Sequence, residues 1–108
     1  MKTLLFVYGT LKAGYPNNAL ISDGELLGNH LTEPSYTMYD LGAFPAISLG
    51  GDTAIHGEVW RVADLELTDY LEGYPLFYDR VLIPTEYGDA WVYVLPKVDG
   101  TVIPDGKW

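Results

Sequence analysis

Short apolar runs, each ended by glycine, proline or serine, constrain the fold of this chain more than any other feature of its sequence. Runs of this length and composition are typical of β-strands, whereas amphipathic helices need longer stretches with a 3.6-residue period. The runs that predict strands are residues 4–8, 25–31, 36–39, 46–49, 55–62, 77–86 and 90–95. The last two flank Tyr87-Gly88-Asp89, and a glycine-containing turn between two strands predicts a β-hairpin.

One short helix is predicted after the fifth run. Asp64 is a suitable N-cap residue, because its side chain can accept a hydrogen bond from a free N–H of the first turn. Gly73 can adopt the left-handed conformation that ends a helix, and Pro75 prevents continuation. The apolar residues at helical spacing between these signals are Leu67, Tyr70 and Leu71. Many short strands with few helices predict an α+β fold dominated by β-structure, in the form of a small, mostly antiparallel β-barrel.

Length, charge and cysteine content limit the classes to which the protein can belong. The 108 residues fit a single domain, residues 1–108. The formal net charge is −9 and the six Lys and Arg residues are scattered, which disfavours nucleic-acid binding. The apolar stretch at residues 4–7 is too short for a membrane span or a signal-peptide core. Without cysteines for disulfides, we expect a soluble cytoplasmic domain.

No cofactor or metal site is expected from the sequence. The absence of cysteine excludes thiolate nucleophiles and cysteine-ligated metal sites. His30 and His56 lack metal-ligand spacing to another ligand. The phosphate-loop pattern is not completed after Gly9, because Ala13-Gly14-Tyr15 follows, and the dinucleotide-binding fingerprint is absent.

Two segments could carry chemistry. In Tyr8-Gly9-Thr10-Leu11 a strand ends abruptly at glycine, which leaves backbone N–H groups free to hold a carboxylate or carbonyl oxygen. An ordinary tight turn is the alternative there. Glu72 lies at the predicted carboxyl end of the helix, where the macrodipole disfavours negative charge. Tyr74, Phe77 and Tyr78 could desolvate it, and both effects raise a carboxyl pKa toward the range useful for acid/base catalysis. A solvated surface glutamate is the alternative there.

Rival sites have weaker support. Ser48 lies in Ala46-Ile47-Ser48-Leu49-Gly50, one residue away from the nucleophile-elbow pattern G-x-S-x-G. Glycines follow it rather than a helix, so a serine hydrolase with His56 as the base is disfavoured. Glu58 and Glu72 could serve as a glycosidase pair, but two acids among fifteen carry little weight.

Taken together, the motifs of this chain resemble the gamma-glutamylcyclotransferase-like family, which includes gamma-glutamylamine cyclotransferases and AIG2-like proteins. The resemblance extends along essentially the whole chain. The segments that carry it are Phe6-Val7-Tyr8-Gly9-Thr10-Leu11, Gly57-Glu58-Val59-Trp60, Asp69-Tyr70-Leu71-Glu72-Gly73, Tyr78 with Arg80, Ala90–Val94, and Ile103-Pro104-Asp105-Gly106-Lys107-Trp108. Thr68 replaces the usual leucine before the aspartate, and Asp105 and Lys107 replace serine and aspartate in the closing motif.

The resemblance implies a small barrel with one or two short flanking helices and a cavity at one end. It also implies conversion of a γ-glutamyl compound to 5-oxoproline plus a free amine or amino acid, without a cofactor. By position, Glu72 matches the catalytic glutamate. The residues that match the substrate-binding loop are Tyr8, Gly9, Thr10 and Leu11, and the expected pocket walls are Tyr78 and Tyr93.

Three questions stay open at the level of sequence, and the oligomeric state is one of them. The fold alone does not establish activity, so a ligand- or protein-binding module is the alternative to an enzyme. The γ-glutamyl substrate is equally open, because residues 12–15 lie in the loop that varies most within the family.

Overall fold

The computed structural model describes residues 2–96 and 98–108. Within these residues the chain forms eight strands, one α-helix and one 3-10 helix. The strands are β1 (Thr3–Val7), β2 (Glu25–Leu31), β3 (Tyr36–Asp40), β4 (Pro45–Leu49), β5 (His56–Val62), β6 (Asp79–Ile83), β7 (Ala90–Val94) and β8 (Thr101–Val102). The 3-10 helix is Pro16–Leu20, and α1 (Glu66–Glu72) lies between β5 and β6. No helix in the described ranges is long and apolar enough to cross a membrane.

The strands form two sheets that are not closed into a barrel, so the predicted small β-barrel is not confirmed, while the α+β class with mostly antiparallel strands is confirmed. The larger sheet has the order β2-β5-β1-β7-β6 and the smaller one the order β4-β3-β8. A barrel requires its outer strands to join in a continuous ladder. Here β2 and β6 are the two ends of the larger sheet. The connection between the sheets includes one hydrogen bond, from the Leu95 N–H to the Ile47 carbonyl (2.9 Å).

β1 is the central strand of the larger sheet. It pairs antiparallel with β5 and parallel with β7. Both of its faces are covered, because Leu5 and Val7 belong to one buried cluster while Phe6 and Tyr8 belong to another. This explains why the run is apolar without alternation. Beyond its carboxyl end, Tyr8 and Gly9 line a cavity.

The helix α1 ends where the sequence predicts, but its N-cap residue is Leu65 rather than the predicted Asp64, and the Leu65 side chain offers no capping hydrogen bond. The Asp64 carboxylate accepts a hydrogen bond from the Glu66 N–H (2.9 Å), which satisfies a free donor of the first turn. The helix ends at Glu72, and Gly73 adopts the left-handed conformation with φ of 65°. The helix therefore places Glu72 in its last turn, beside the chain that leads to β6.

The predicted hairpin forms, but its first strand is shorter than the apolar run suggested. β6 and β7 are antiparallel, and Thr85 and Gly88 exchange backbone hydrogen bonds of 3.1 Å in the turn. β6 begins at Asp79 rather than at Phe77. The reason is a turn after α1, in which the Phe77 N–H donates to the Gly73 carbonyl (2.7 Å). Phe77 consequently lies in a loop.

Candidate functional site

A cavity of about 230 Å³ opens at the carboxyl end of β1. All seven residues that the family resemblance assigned to the site line it: Tyr8, Gly9, Thr10, Leu11, Glu72, Tyr78 and Tyr93. They come from four parts of the chain, namely the loop after β1, the end of α1, the segment before β6, and β7. The fold thus brings the predicted loop, carboxyl and aromatic residues to one place.

The loop after β1 presents free backbone donors. The Lys12 N–H donates to the Gly9 carbonyl (3.1 Å), which closes a tight turn. The amides of Gly9, Thr10 and Leu11 donate no hydrogen bond to the described residues. A Cβ atom at Gly9 would lie 2.6 Å from the Pro45 Cγ atom. The loop therefore needs glycine for its close approach to β4, and its N–H groups can bind a ligand's oxygen atoms.

Asn17 holds this loop and was not found by sequence reasoning. Its N–H donates to the Thr10 carbonyl (3.0 Å), and its side-chain amide donates to Thr10 Oγ1 (2.8 Å). Asn17 belongs to the 3-10 helix, and it also lines the cavity. The available signal was Pro16, since proline is favoured at the first position of a helix.

Glu72 contributes the carboxyl group of the cavity. The residue is half-buried, and burial raises its pKa from 4.5 to about 7. The described residues offer its carboxyl group no hydrogen-bond partner. Burial is the largest cause that raises the pKa of Tyr8 and Tyr78, and the charge of Glu72 adds to it. All three residues line the cavity. A carboxyl group with a pKa of about 7 can both take and return a proton near neutral pH.

Two of the three aromatic residues predicted to surround Glu72 do so. Phe77 and Tyr78 line the cavity with it, and their rings pack edge to face at 5.1 Å. Tyr74 instead packs against the Arg80 guanidinium, 4.2 Å from its ring centre. The difference arises because Arg80, in β6, lies over Tyr74 and Trp91 at once.

The cavity tyrosines have their hydroxyl groups bound to other parts of the protein. The Tyr8 hydroxyl donates to the Tyr93 carbonyl (2.8 Å), and the Tyr78 hydroxyl donates to the Pro45 carbonyl (3.0 Å). The Tyr93 hydroxyl lies 2.6 Å from Asp69 Oδ1. Burial raises the pKa of all three phenols. They therefore present ring surfaces to the cavity, and Glu72 is its group best suited to acid/base chemistry.

An ion pair ties α1 to the sheet one turn before Glu72. Arg80 Nε donates to Asp69 Oδ1 (2.9 Å), and Arg80 Nη2 donates to Asp69 Oδ2 (3.2 Å). Hydrogen bonding to Asp69 raises the pKa of Arg80. Because Asp69 also binds the Tyr93 hydroxyl, the network connects α1, β6 and β7. It fixes the end of the helix relative to the wall that Tyr93 forms.

The rival sites find no support in the geometry. Ser48 is buried inside β4 rather than exposed at a strand-to-helix turn. Glu58 lines a different groove, and its Oε1 accepts hydrogen bonds from the Ala13 N–H (2.9 Å) and from Trp60 Nε1 (3.1 Å). Glu58 and Glu72 therefore do not share a cavity. No group of three or more potential metal ligands occurs in ranges 2–96 and 98–108.

Comparison with known proteins decides the family. A family model described as gamma-glutamyl cyclotransferase, AIG2-like, matches residues 5–108. The chain belongs to the gamma-glutamylcyclotransferase family. A Vibrio cholerae protein, provisionally named a gamma-glutamylcyclotransferase, is 39% identical over 112 residues, which cover 100% of this chain and 96% of that protein. The gamma-glutamylcyclotransferase family protein YtfP of Escherichia coli K12 is 38% identical over 108 residues, covering 96% of this chain and 94% of its own.

A solved structure agrees with this gamma-glutamylcyclotransferase assignment at the level of the fold. An uncharacterized protein from Pyrococcus horikoshii superposes with a TM-score of 0.81 at 26% identity. The superposition covers 97% of this chain and 88% of that one. This chain thus shares its fold with the Pyrococcus horikoshii protein over most of the length of both chains.

Proposed function

We propose that this protein is a cyclotransferase that converts a γ-glutamyl compound to 5-oxoproline and a free amine. The α-amine nitrogen of the substrate attacks its own γ-carbonyl carbon and closes a five-membered lactam. The bond from that carbon to the leaving nitrogen then breaks. Glu72 takes one proton from the attacking nitrogen and returns it to the leaving nitrogen, so the enzyme ends the cycle unchanged.

The observation that carries this proposal is the state of the Glu72 carboxyl group. It has no hydrogen-bond partner among the described residues, it lies in the cavity, and burial raises its pKa to about 7. A group with this pKa is divided between its two protonation states at neutral pH, which suits a residue that must act first as base and then as acid. The substrate supplies its own nucleophile, which agrees with the lack of cysteine in the chain.

The loop after β1 would hold the substrate in its reactive shape. The free N–H groups of Gly9, Thr10 and Leu11 can bind either the substrate α-carboxylate or the oxyanion that develops on the γ-carbonyl oxygen. Folding a flexible substrate into a near-attack geometry can contribute several kcal/mol to the rate. A single oxyanion donor typically lowers a barrier by about 3 kcal/mol.

The test is release of 5-oxoproline, measured by mass spectrometry, from a panel of γ-glutamylamines and γ-glutamyl dipeptides. We expect turnover by the wild-type protein and a loss of at least about a hundredfold in Glu72→Gln, the scale typical of a lost acid/base group. Glu66→Gln is the matched control, because it removes an exposed carboxylate from the first turn of the same helix. Retained turnover in Glu72→Gln would exclude the catalytic role of Glu72.

The same panel decides against the alternative of a binding module. Compounds that raise the melting temperature of the wild-type protein without yielding 5-oxoproline would show that the cavity binds but does not cyclise. Glu72→Gln should still bind its substrate, because the loop N–H groups are unchanged in this variant. Melting curves of both proteins with each compound therefore separate binding from chemistry.

A further inference from the structure

The rim of the cavity is apolar on the side where α1 ends. Leu71, next to Glu72, and Phe77 both line the cavity, yet their side chains are 40% and 55% exposed. Large apolar side chains that face open space beside a binding cavity are favoured sites for apolar ligand groups. The Phe77 ring packs edge to face on the buried Tyr78 ring, so it has a defined position at this rim.

The charges around the cavity also favour an apolar ligand group. None of the described residues that line it is Lys, Arg or His, and Glu72 is its one acidic residue. The loop N–H groups of residues 9–11 can satisfy one carboxylate, and the γ-glutamyl group already brings one. A second carboxylate, on the leaving group, would meet no cation and would approach a protein with a net charge of −9.

From these observations we infer that the leaving group of the substrate is an uncharged, apolar amine whose carbon chain packs on Leu71 and Phe77. This inference rests on the proposed reaction and specifies its substrate class. Glu72 must reach the leaving nitrogen to protonate it, so the group attached to that nitrogen begins beside Glu72. Leu71 precedes Glu72 in the chain and Phe77 follows it after the turn, and both residues line the cavity together with Glu72. A hydrocarbon chain that packs there is partly removed from water, whereas a carboxylate there finds no positively charged residue among those that line the cavity.

The first experiment compares two substrates of nearly equal shape. γ-Glutamylglycine carries a carboxylate where γ-glutamylisobutylamine carries an isopropyl group, so the two carboxylate oxygens take the places of two methyl groups. We expect kcat/KM to be at least about tenfold higher for the isobutylamine compound, because each buried methyl or methylene group is worth about fourfold. Repeating the assay in 0.5 M NaCl screens the long-range repulsion of the −9 charge, and the preference should persist. Equal kcat/KM values, or a preference for the glycine compound, would overturn the inference.

The second experiment locates the contact. In a series of γ-glutamyl n-alkylamines from methyl to butyl, kcat/KM should rise about two- to fourfold per methylene group. Phe77→Ala should flatten this rise. Leu76→Ala is the matched control, since Leu76 is 97% exposed but does not line the cavity, and it should keep the wild-type slope. An unchanged slope in Phe77→Ala, or an equal loss in both variants, would contradict the proposed contact.

The outcomes separate the inference from the reaction on which it rests. Turnover of all compounds without a preference leaves the cyclotransferase reaction intact and refutes the apolar leaving group. Failure to release 5-oxoproline from any compound refutes the reaction, and the assignment of its leaving group falls with it.

Discussion

Removal of the Glu72 carboxyl group should stabilise the folded protein in neutral and alkaline solution. Burial raises the pKa of this group from 4.5 to about 7, so ionisation costs more free energy in the folded than in the unfolded chain. Between these two values the folded state binds more protons than the unfolded state. The free energy of unfolding contributed by Glu72 therefore falls as the pH rises through this range. The side chain of Gln does not ionise, so the free energy of unfolding of Glu72→Gln should not show this decrease.

The magnitude follows from the two pKa values. At about 1.4 kcal/mol per pKa unit, the cost of ionised Glu72 is about 3 kcal/mol at pH 8 and about 1 kcal/mol at pH 5. Relative to wild type, Glu72→Gln should thus gain about 2.5 kcal/mol between pH 5 and pH 8. For a chain of this size that corresponds to roughly 10 °C in Tm. The pH-independent cost of replacing a carboxyl by an amide cancels in this difference.

The assay is urea unfolding followed by tryptophan fluorescence at several pH values from 5 to 8.5. Wild type and Glu72→Gln are compared with Glu66→Gln, which reports the effect of removing one exposed negative charge from the same helix. Parallel stability curves for wild type and Glu72→Gln would refute the reasoning, because they would show that Glu72 titrates alike in the folded and unfolded states. This test does not depend on any enzymatic activity.

Two further predictions concern the parts that position Glu72 and the loop. A double-mutant cycle of Asp69→Asn and Arg80→Leu, measured by urea unfolding, should give a coupling energy of about 1–2 kcal/mol. The reason is that the bidentate ion pair is largely buried. Additive effects of the two substitutions would show that the pair contributes nothing to stability. Gly9→Ala should destabilise the protein by about 1–3 kcal/mol, because its Cβ atom would overlap Pro45. In a Pro45→Ala background the cost should shrink, and an undiminished cost would contradict this explanation.

Sequence was sufficient for features set by local physics. The end of α1 followed from Gly73 and Pro75, because few residues accept a φ of 65°. The buried strand before Gly9 followed from its unbroken apolar run. Glu72 could be singled out because a carboxylate at a helix carboxyl end is disfavoured unless something offsets it.

Features set by distant contacts were beyond local reasoning. The packing of Tyr74 depends on Arg80 and Trp91, which belong to different strands. The predicted barrel is not confirmed, because the pairing of outer strands depends on the whole topology and cannot be read from any one run. The strand β8 has two residues, both exposed, so it carries no hydrophobic pattern that could reveal it. Phe44 lines the cavity from a loop, where sequence offers no periodicity to read.

The central place of β1 has a consequence for synthesis of the chain. Leu5 pairs with Trp91, so one edge of β1 stays open until β7 has been synthesised. At a synthesis rate of about 5–20 residues per second, the interval between Leu5 and Trp91 is on the order of 4–17 s, and the edge is open during this time. Meanwhile Phe6 and Val7, which are buried in the finished protein, lie on an apolar strand that can pair with β5 but still has one open edge, a feature that invites aggregation. A nascent chain stopped before β7 should therefore be a client for chaperones, whereas a chain that has passed Val94 can close its own sheet.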